Sequence, residues 1–168
     1  MAGRKSREAR PTLLVVGEGD CEVAFLKHLR QLYCSGGRGV TVTISNAHGK
    51  GPENVVEHTR RQARPYGFDQ VVAFLDTDIA WSDQLKKAAR QDKIALVGST
   101  PCLEGFLLSI LQQQVPDVSS ECKRALRRLV GQEMTEREHY EQDFPAPVLE
   151  LARQKIPELD RLLRFFEG

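Results

Sequence analysis

Long apolar runs are missing from this chain of 168 residues; its most hydrophobic stretches, such as Leu13–Val16 and Val71–Leu75, are only four or five residues long. A membrane-spanning helix needs about 20 such residues, so no bilayer crossing is expected. The basic N-terminus (Arg4, Lys5, Arg7, Arg10) runs into nothing longer than Leu13–Val16, which is too short for the apolar core of a signal peptide. A cytoplasmic protein is the expectation. Cysteine is scarce as well. Cys21, Cys34, Cys102 and Cys122 form no CxxC pair and have no histidine at zinc-finger spacing, which argues against structural zinc and leaves them as small apolar fillers in a reducing compartment. Neither sign of charge is in excess: 24 basic against 23 acidic side chains leave a net +1. Any attraction to nucleic acid must therefore come from local patches. No GxxxxGK[ST] occurs, which excludes a P-loop ATPase, and there is no internal repeat or low-complexity tract.

What remains is an ordinary globular mix, 40% hydrophobic and 28% charged, long enough for one domain with a sizeable core. Residues 1–10 are expected to form a disordered basic arm and 11–168 a single domain. Val71-Val72-Ala73-Phe74-Leu75 runs directly into Asp76-Thr77-Asp78. A short unbroken apolar run reads as a strand buried on both faces, as in a parallel sheet. Leu13–Val16 reads the same way and ends in Gly17-Glu18-Gly19-Asp20, with Asp20 placed to cap a helix carrying Phe25, Leu26, Leu29, Leu32 and Tyr33. Val40, Val42 and Ile44 alternate with threonines as the second strand in chain order. Gly49-Lys50-Gly51 makes a turn before a helix opened by Pro52, and Ser82 caps another. Ile94–Val97 is a fourth strand, and Thr100-Pro101 has the cap-then-proline pattern of a helix whose stripe is Leu103, Phe106, Leu107, Ile110 and Leu111.

Strand and helix alternating four times predict an α/β fold: a four-stranded parallel sheet with helices on both faces. The flavodoxin-like order 2-1-3-4 covers both faces naturally. From Val115 onward the pattern is helical. Ser120 is expected to start one helix, Thr135-Glu136-Arg137-Glu138 resembles a capping box for a second, and the tail carries Leu149, Ala152, Ile156, Leu159, Leu162, Leu163 and Phe166. This extension, 115–168, is expected to pack on the sheet layer, although a homodimer interface would give the same stripe.

In that strand order Glu18, Asp76 and Asp78 converge at the switch point between the first and third strands, where open α/β sheets bind ligands. Carboxylates held together repel unless a cation or proton lies between them. Hard oxygen ligands suit Mg²⁺ or Mn²⁺, which would orient water against a phosphodiester. Each acid has a plainer reading too, since acids after strands often cap turns. Glu22 and Glu104 are additional candidates, but both also suit the first turn of a helix. Lys50 in its glycine turn could hold an anion, although a plain turn explains it equally. Lys123, Arg124, Arg127 and Arg128 form one stripe that could meet phosphates or simply face water. The triads Arg60/Arg61/Arg64 and Lys86/Lys87/Arg90 are weaker versions of the same pattern. Trp81 could stack on a base or anchor its loop.

The stretches Val16-Gly17-Glu18-Gly19-Asp20-Cys21-Glu22, Phe74-Leu75-Asp76-Thr77-Asp78 and Ser99-Thr100-Pro101-Cys102-Leu103-Glu104-Gly105-Phe106-Leu107-Leu108 resemble, in that order, the Toprim domain of topoisomerases, bacterial primases and OLD-family nucleases. More narrowly they resemble the RloB-like family of bacterial phage-defence loci. The third stretch is similar to that family's SNPCFExWLL signature, with Thr100, Leu103 and Phe106 where it has Asn, Phe and Trp. Asp20 and Cys21 also differ from its usual Lys-Thr. The resemblance spans roughly residues 12–112 and implies a Mg²⁺-dependent nuclease cutting DNA or RNA. Glu18 would be the acid/base or metal ligand, Asp76 and Asp78 the metal pair, and Glu104 the acid of the signature. OLD nucleases carry an ATPase, which here would be a separately encoded partner. Two other readings stand beside it: a phosphatase using Asp76 as nucleophile, and a non-catalytic module that binds nucleic acid or the ATPase.

Overall fold

The computed structural model describes residues 9–168; the basic side chains Arg4, Lys5 and Arg7 lie outside them. Four strands form one all-parallel sheet in the order β2-β1-β3-β4, as expected: β1 (Thr12–Gly17), β2 (Thr41–Asn46), β3 (Gln70–Asp76) and β4 (Ile94–Ser99). Between and after them run α1 (Asp20–Tyr33), α2 (Gly51–Ala63), α3 (Asp83–Gln91) and α4 (Leu103–Ile110). The C-terminal part is helical: α5 (Ser119–Val130), a 3₁₀ turn (Arg137–Tyr140), α6 (Ala146–Arg153) and α7 (Pro157–Glu167).

The apolar runs of β1 and β3 alternate between two cores, because successive side chains leave a strand on opposite faces. Leu14, Val16, Ala73 and Leu75 pack with Val55, Val56, Leu85 and Ala89 of α2 and α3. Leu13, Val15, Val72 and Phe74 point the other way, into a larger core with Phe25 and Leu29 of α1 and Phe106 and Leu107 of α4. Phe25, Phe74 and Phe106 meet there with ring centroids 5.9–6.2 Å apart.

That larger core is where the C-terminal helices close. Leu149, Ala152, Leu159, Leu162, Leu163 and Phe166 all join it, so the apolar stripe of the tail is covered within one chain. Polar contacts fix the docking. His28 Nε2 lies 2.7 Å from the Phe144 carbonyl, and the Val40 amide donates to the Phe166 carbonyl at 3.2 Å. Arg153 bonds Glu150, Asp160 and Glu167 at once. On the outer edge of β4, the Leu96 carbonyl accepts from Arg161 and the Gly98 amide donates to Glu158, both of α7.

Helix starts differ from expectation where side chains find longer-range partners. Gly19, not Asp20, caps α1, and the Glu22 carboxylate accepts from its amide at 3.0 Å. Ser82 caps α3 as expected, accepting from the Leu85 amide. Thr100 does not cap α4: that helix begins at Leu103 after Cys102, because the Pro101 carbonyl accepts from the amides of Thr77 and Asp78 instead of starting a helix. Thr135 caps no α-helix either, and only the 3₁₀ turn after Glu136 forms. Helix α5 starts at Ser119 rather than Ser120, with Gly131 ending it in a left-handed conformation. At the N-terminal arm, the Arg10 guanidinium donates to the Arg38 carbonyl at 3.1 Å.

Candidate functional site

Parallel strands with a short register offset deliver their C-terminal residues to one rim. Gly17 pairs with Phe74, and Asp76 with Ser99, so Glu18 and Asp76 leave adjacent strands side by side. The chain turns sharply after Gly17, where a Cβ would stand 3.0 Å from the Glu22 Cβ and 3.1 Å from the Val23 amide; a larger residue there would push the start of α1 back by a few tenths of an ångström. Glu18 then accepts from the Asp76 amide through Oε2 at 2.9 Å. Of the three acids expected to converge at the switch point, Glu18 reaches the backbone of Asp76.

Asp76 is half-buried and tightly held. Its Oδ1 accepts from the Ser99 hydroxyl at 2.8 Å and from the Leu103 amide at 2.9 Å, which ties it to β4 and to the start of α4. The Trp81 indole donates to the Asp76 carbonyl at 3.0 Å, so this tryptophan anchors the loop. Burial pushes the Asp76 carboxyl up to about 8, and the charge of Glu22, then those of Glu18 and Asp78, push the same way against the Ser99 bond. Glu22 is 7% exposed. Burial raises it to about 7, assisted by the charges of Glu104 and Glu18 and opposed by backbone hydrogen bonds.

Asp78 stands apart. It is exposed; its Oδ1 accepts from the Ile79 amide and its Oδ2 from the Ser119 hydroxyl of α5 at 2.8 Å. Both Asp78 oxygens are thus engaged, one by its own loop and one by α5. Among the described residues no three His, Cys, Asp or Glu are disposed as a metal shell. The donor set still has the chemistry of a hard-cation site. Five carboxylates, Glu18, Glu22, Asp76, Asp78 and Glu104, act on one another, and among the described residues none is in an ion pair. Asp76 Oδ2 and Glu18 Oε1 accept no hydrogen bond within the described residues. By charge and oxygen chemistry the residues fit a Mg²⁺-like ion.

The basic candidates divide. Lys50 is exposed and heads α2 in a left-handed conformation (φ 69°), beside Gly49, whose amide donates to the Glu18 carbonyl at 2.7 Å. The turn is thus bound to the rim through its backbone, and that amide is taken. On α5 the expected stripe splits: Lys123, Arg124 and Arg127 line a cavity shared with Glu104 and Cys21, whereas Arg128 lies over a separate depression beside Leu129. Arg60 and Arg61 pair with Glu57, and Arg60 also with Asp92, a structural use. All four cysteines are free thiols; burial pushes Cys21 and Cys102 up to about 12, which removes them as nucleophiles near neutral pH.

Sequence reasoning missed Ser99 and Ser119. Ser99 had only a weak signal, two residues past the apolar run Ile94–Val97 at the end where the rim lies; the structure extends that strand to Ser99 and pairs it with Asp76. Ser119 had none, because its partner lies 41 positions away and nothing local marks the contact. Comparison with protein-family models, with curated proteins and with solved structures found no match.

Proposed function

We propose that the chain is a metal-dependent phosphodiesterase acting on nucleic acid, with Mg²⁺ or Mn²⁺ held by Glu18, Asp76 and Asp78 at the C-terminal rim of the sheet. The observation that carries this reading is the juxtaposition of Glu18 and Asp76, 58 positions apart, in a rim of carboxylates that make no ion pair among the described residues. The resemblance of the three motifs to Toprim nucleases of phage-defence loci points the same way, and with it a bacterial cytoplasmic setting and a separate ATPase partner. A bound divalent cation supplies charge neutralisation on a phosphodiester and lowers the pKa of a bound water. The chain's own contribution is position and proton traffic. Ser99 and the Leu103 amide fix the Asp76 carboxylate, and Glu18, whose Oε1 has no protein donor among the described residues, either completes the metal site or takes a proton from an attacking water.

The second reading, a non-catalytic module that binds nucleic acid or an ATPase partner, draws support from the Ser119–Asp78 bond, which leaves no ready-made three-acid shell. One experiment separates them. Plasmid, single-stranded DNA and RNA are incubated with the protein in Mg²⁺ or Mn²⁺, alongside Asp76→Asn and Glu18→Gln. Cleavage abolished in both variants supports the phosphodiesterase; binding without cleavage, unchanged in the variants, supports the module.

A further inference from the structure

We propose that the groove between α3, β4 and α7 holds the sugar-phosphate backbone of a nucleic acid and leads it to the carboxylate rim. The inference rests on the nucleic-acid reading above and names the surface that binds the strand. Four cations line this groove of about 500 Å³: Lys86 and Arg90 of α3, Lys93 at the turn into β4, and Arg161 of α7. All four are exposed, and among the described residues no acid lines the groove with them. Lys86, Arg90 and Lys93 make no ion pair there, and Arg161 makes only an exposed one, with Glu158 at 3.9 Å.

Uncompensated charge sets this groove apart from other clefts. The cavity between α4 and α5 sets Lys123, Arg124 and Arg127 against Glu104 and Glu133. The cleft beside β2 sets Lys27, Arg30 and Arg137 against Asp20, Glu136 and Glu138. Mixed signs within one cleft cancel much of each other's field. A groove lined by one sign focuses its potential and gathers counter-charged ligands. With a net charge of only +1 on the whole chain, such a local excess decides where a polyanion lands.

The spread of the cations favours a chain of phosphates over a single anion. Lys86 and Arg90 stand about 6 Å apart along α3, and Lys93 and Arg161 come from two other elements. Beneath them β4 runs from Ile94 to Ser99, about 17 Å. The groove also reaches the candidate site. Trp81 lines it, and its indole donates to the Asp76 carbonyl; Ser99, the last residue of β4, donates to the Asp76 carboxylate. Carboxylates repel phosphates until a cation lies between them, so the hold on a strand has to come from positive charge beside the rim.

The test reads the salt dependence of binding, by fluorescence anisotropy of a fluorescein-labelled duplex of about 20 base pairs in Mg²⁺ across roughly 50–200 mM salt. The full chain carries Glu18→Gln to keep the duplex uncut. Adding Lys86→Gln, Arg90→Gln and Lys93→Gln together should shrink the slope of log affinity against log salt by about 2–3. Over that salt range the chain with its cations intact should lose about 40-fold more affinity than the triple variant. Lys86→Arg with Lys93→Arg keeps the charge and should keep the slope, which separates lost contacts from a lost fold. Lys123→Gln, Arg124→Gln and Arg127→Gln together should change it by about 1 or less. An unchanged slope in the first triple variant, or a larger loss in the α5 variant, overturns the groove and leaves the nucleic-acid reading intact. No binding by wild type overturns both. Labelled poly-glutamate of equal charge binding as tightly as the duplex would make the partner an acidic polypeptide, and overturns the groove's assignment. If wild type binds through the groove but cuts nothing in Mg²⁺ or Mn²⁺, the phosphodiesterase reading fails and the groove stands.

Discussion

Replacing Asp76 by asparagine should stabilise the metal-free protein at alkaline pH, although it removes a residue that makes several hydrogen bonds. An asparagine Oδ1 can still accept from Ser99 and the Leu103 amide, so the lost quantity is charge. In the folded protein the Asp76 carboxyl is raised from 3.8 to about 8. A folded pKa above the unfolded value means that its stabilising contribution is complete below about pH 3.8 and is lost as pH rises through about 8. At 1.36 kcal/mol per pH unit, the full loss is on the order of 5 kcal/mol. Side-chain relaxation and water entry reduce this to roughly 2–5 kcal/mol. Urea denaturation in EDTA at pH 5 and pH 8.5 measures it. Wild type should lose stability between the two pH values, and Asp76→Asn should lose less, ending roughly 2 kcal/mol or more above wild type at pH 8.5. Millimolar Mg²⁺ should restore wild type and leave the variant unmoved. If Asp76→Asn is the less stable protein at pH 8.5, or the gap is the same at both pH values, the rim is not charge-frustrated and the argument fails.

Other outcomes follow from the same contacts. Ser119→Ala frees Asp78 Oδ2 from its hydroxyl donor, so calorimetry should show Mg²⁺ binding about five-fold tighter, as for removal of roughly 1 kcal/mol of competing hydrogen bond; weaker binding would contradict the assignment of Asp78. Gly105→Ala places a Cβ 2.6 Å from Pro101 Cδ and 2.9 Å from the Thr100 carbonyl. Thermal unfolding should register a loss of about 1–3 kcal/mol, and an unchanged Tm would mean that α4 does not pack as described. At pH 8, Ellman's reagent should modify the folded protein far more slowly than the urea-unfolded one, because Cys102 and Cys122 are buried and the thiol of Cys102 is raised to about 12. Rapid modification of Cys102 in the folded state would refute that burial.

The strands and their order were legible because their signals are local. Two apolar runs, each followed by acids, mark β1 and β3, and a parallel sheet of four strands has few ways to cover both faces. From that order the meeting of Glu18 with Asp76 follows by geometry. What stayed hidden depends on distant partners. Thr100-Pro101 looks like a helix start until the Pro101 carbonyl is seen bonded to the loop after β3. The split of the α5 stripe between a cavity and a separate depression turns on which face α4 covers, and residue spacing does not encode that. Likewise, the tail's apolar stripe fits a dimer or a core equally well until His28 and Phe144 are seen in contact.

The two α7 side chains along β4 have a consequence for assembly. In a parallel ladder, one residue of an arriving strand would bond the Leu96 carbonyl and the Gly98 amide together, and Arg161 and Glu158 already occupy both. A sheet stoppered on one margin cannot be stacked end to end into a fibre, because such growth needs two open margins. Trimming the chain before Pro157 would pull that stopper, and the shortened protein should then precipitate rather than simply loosen.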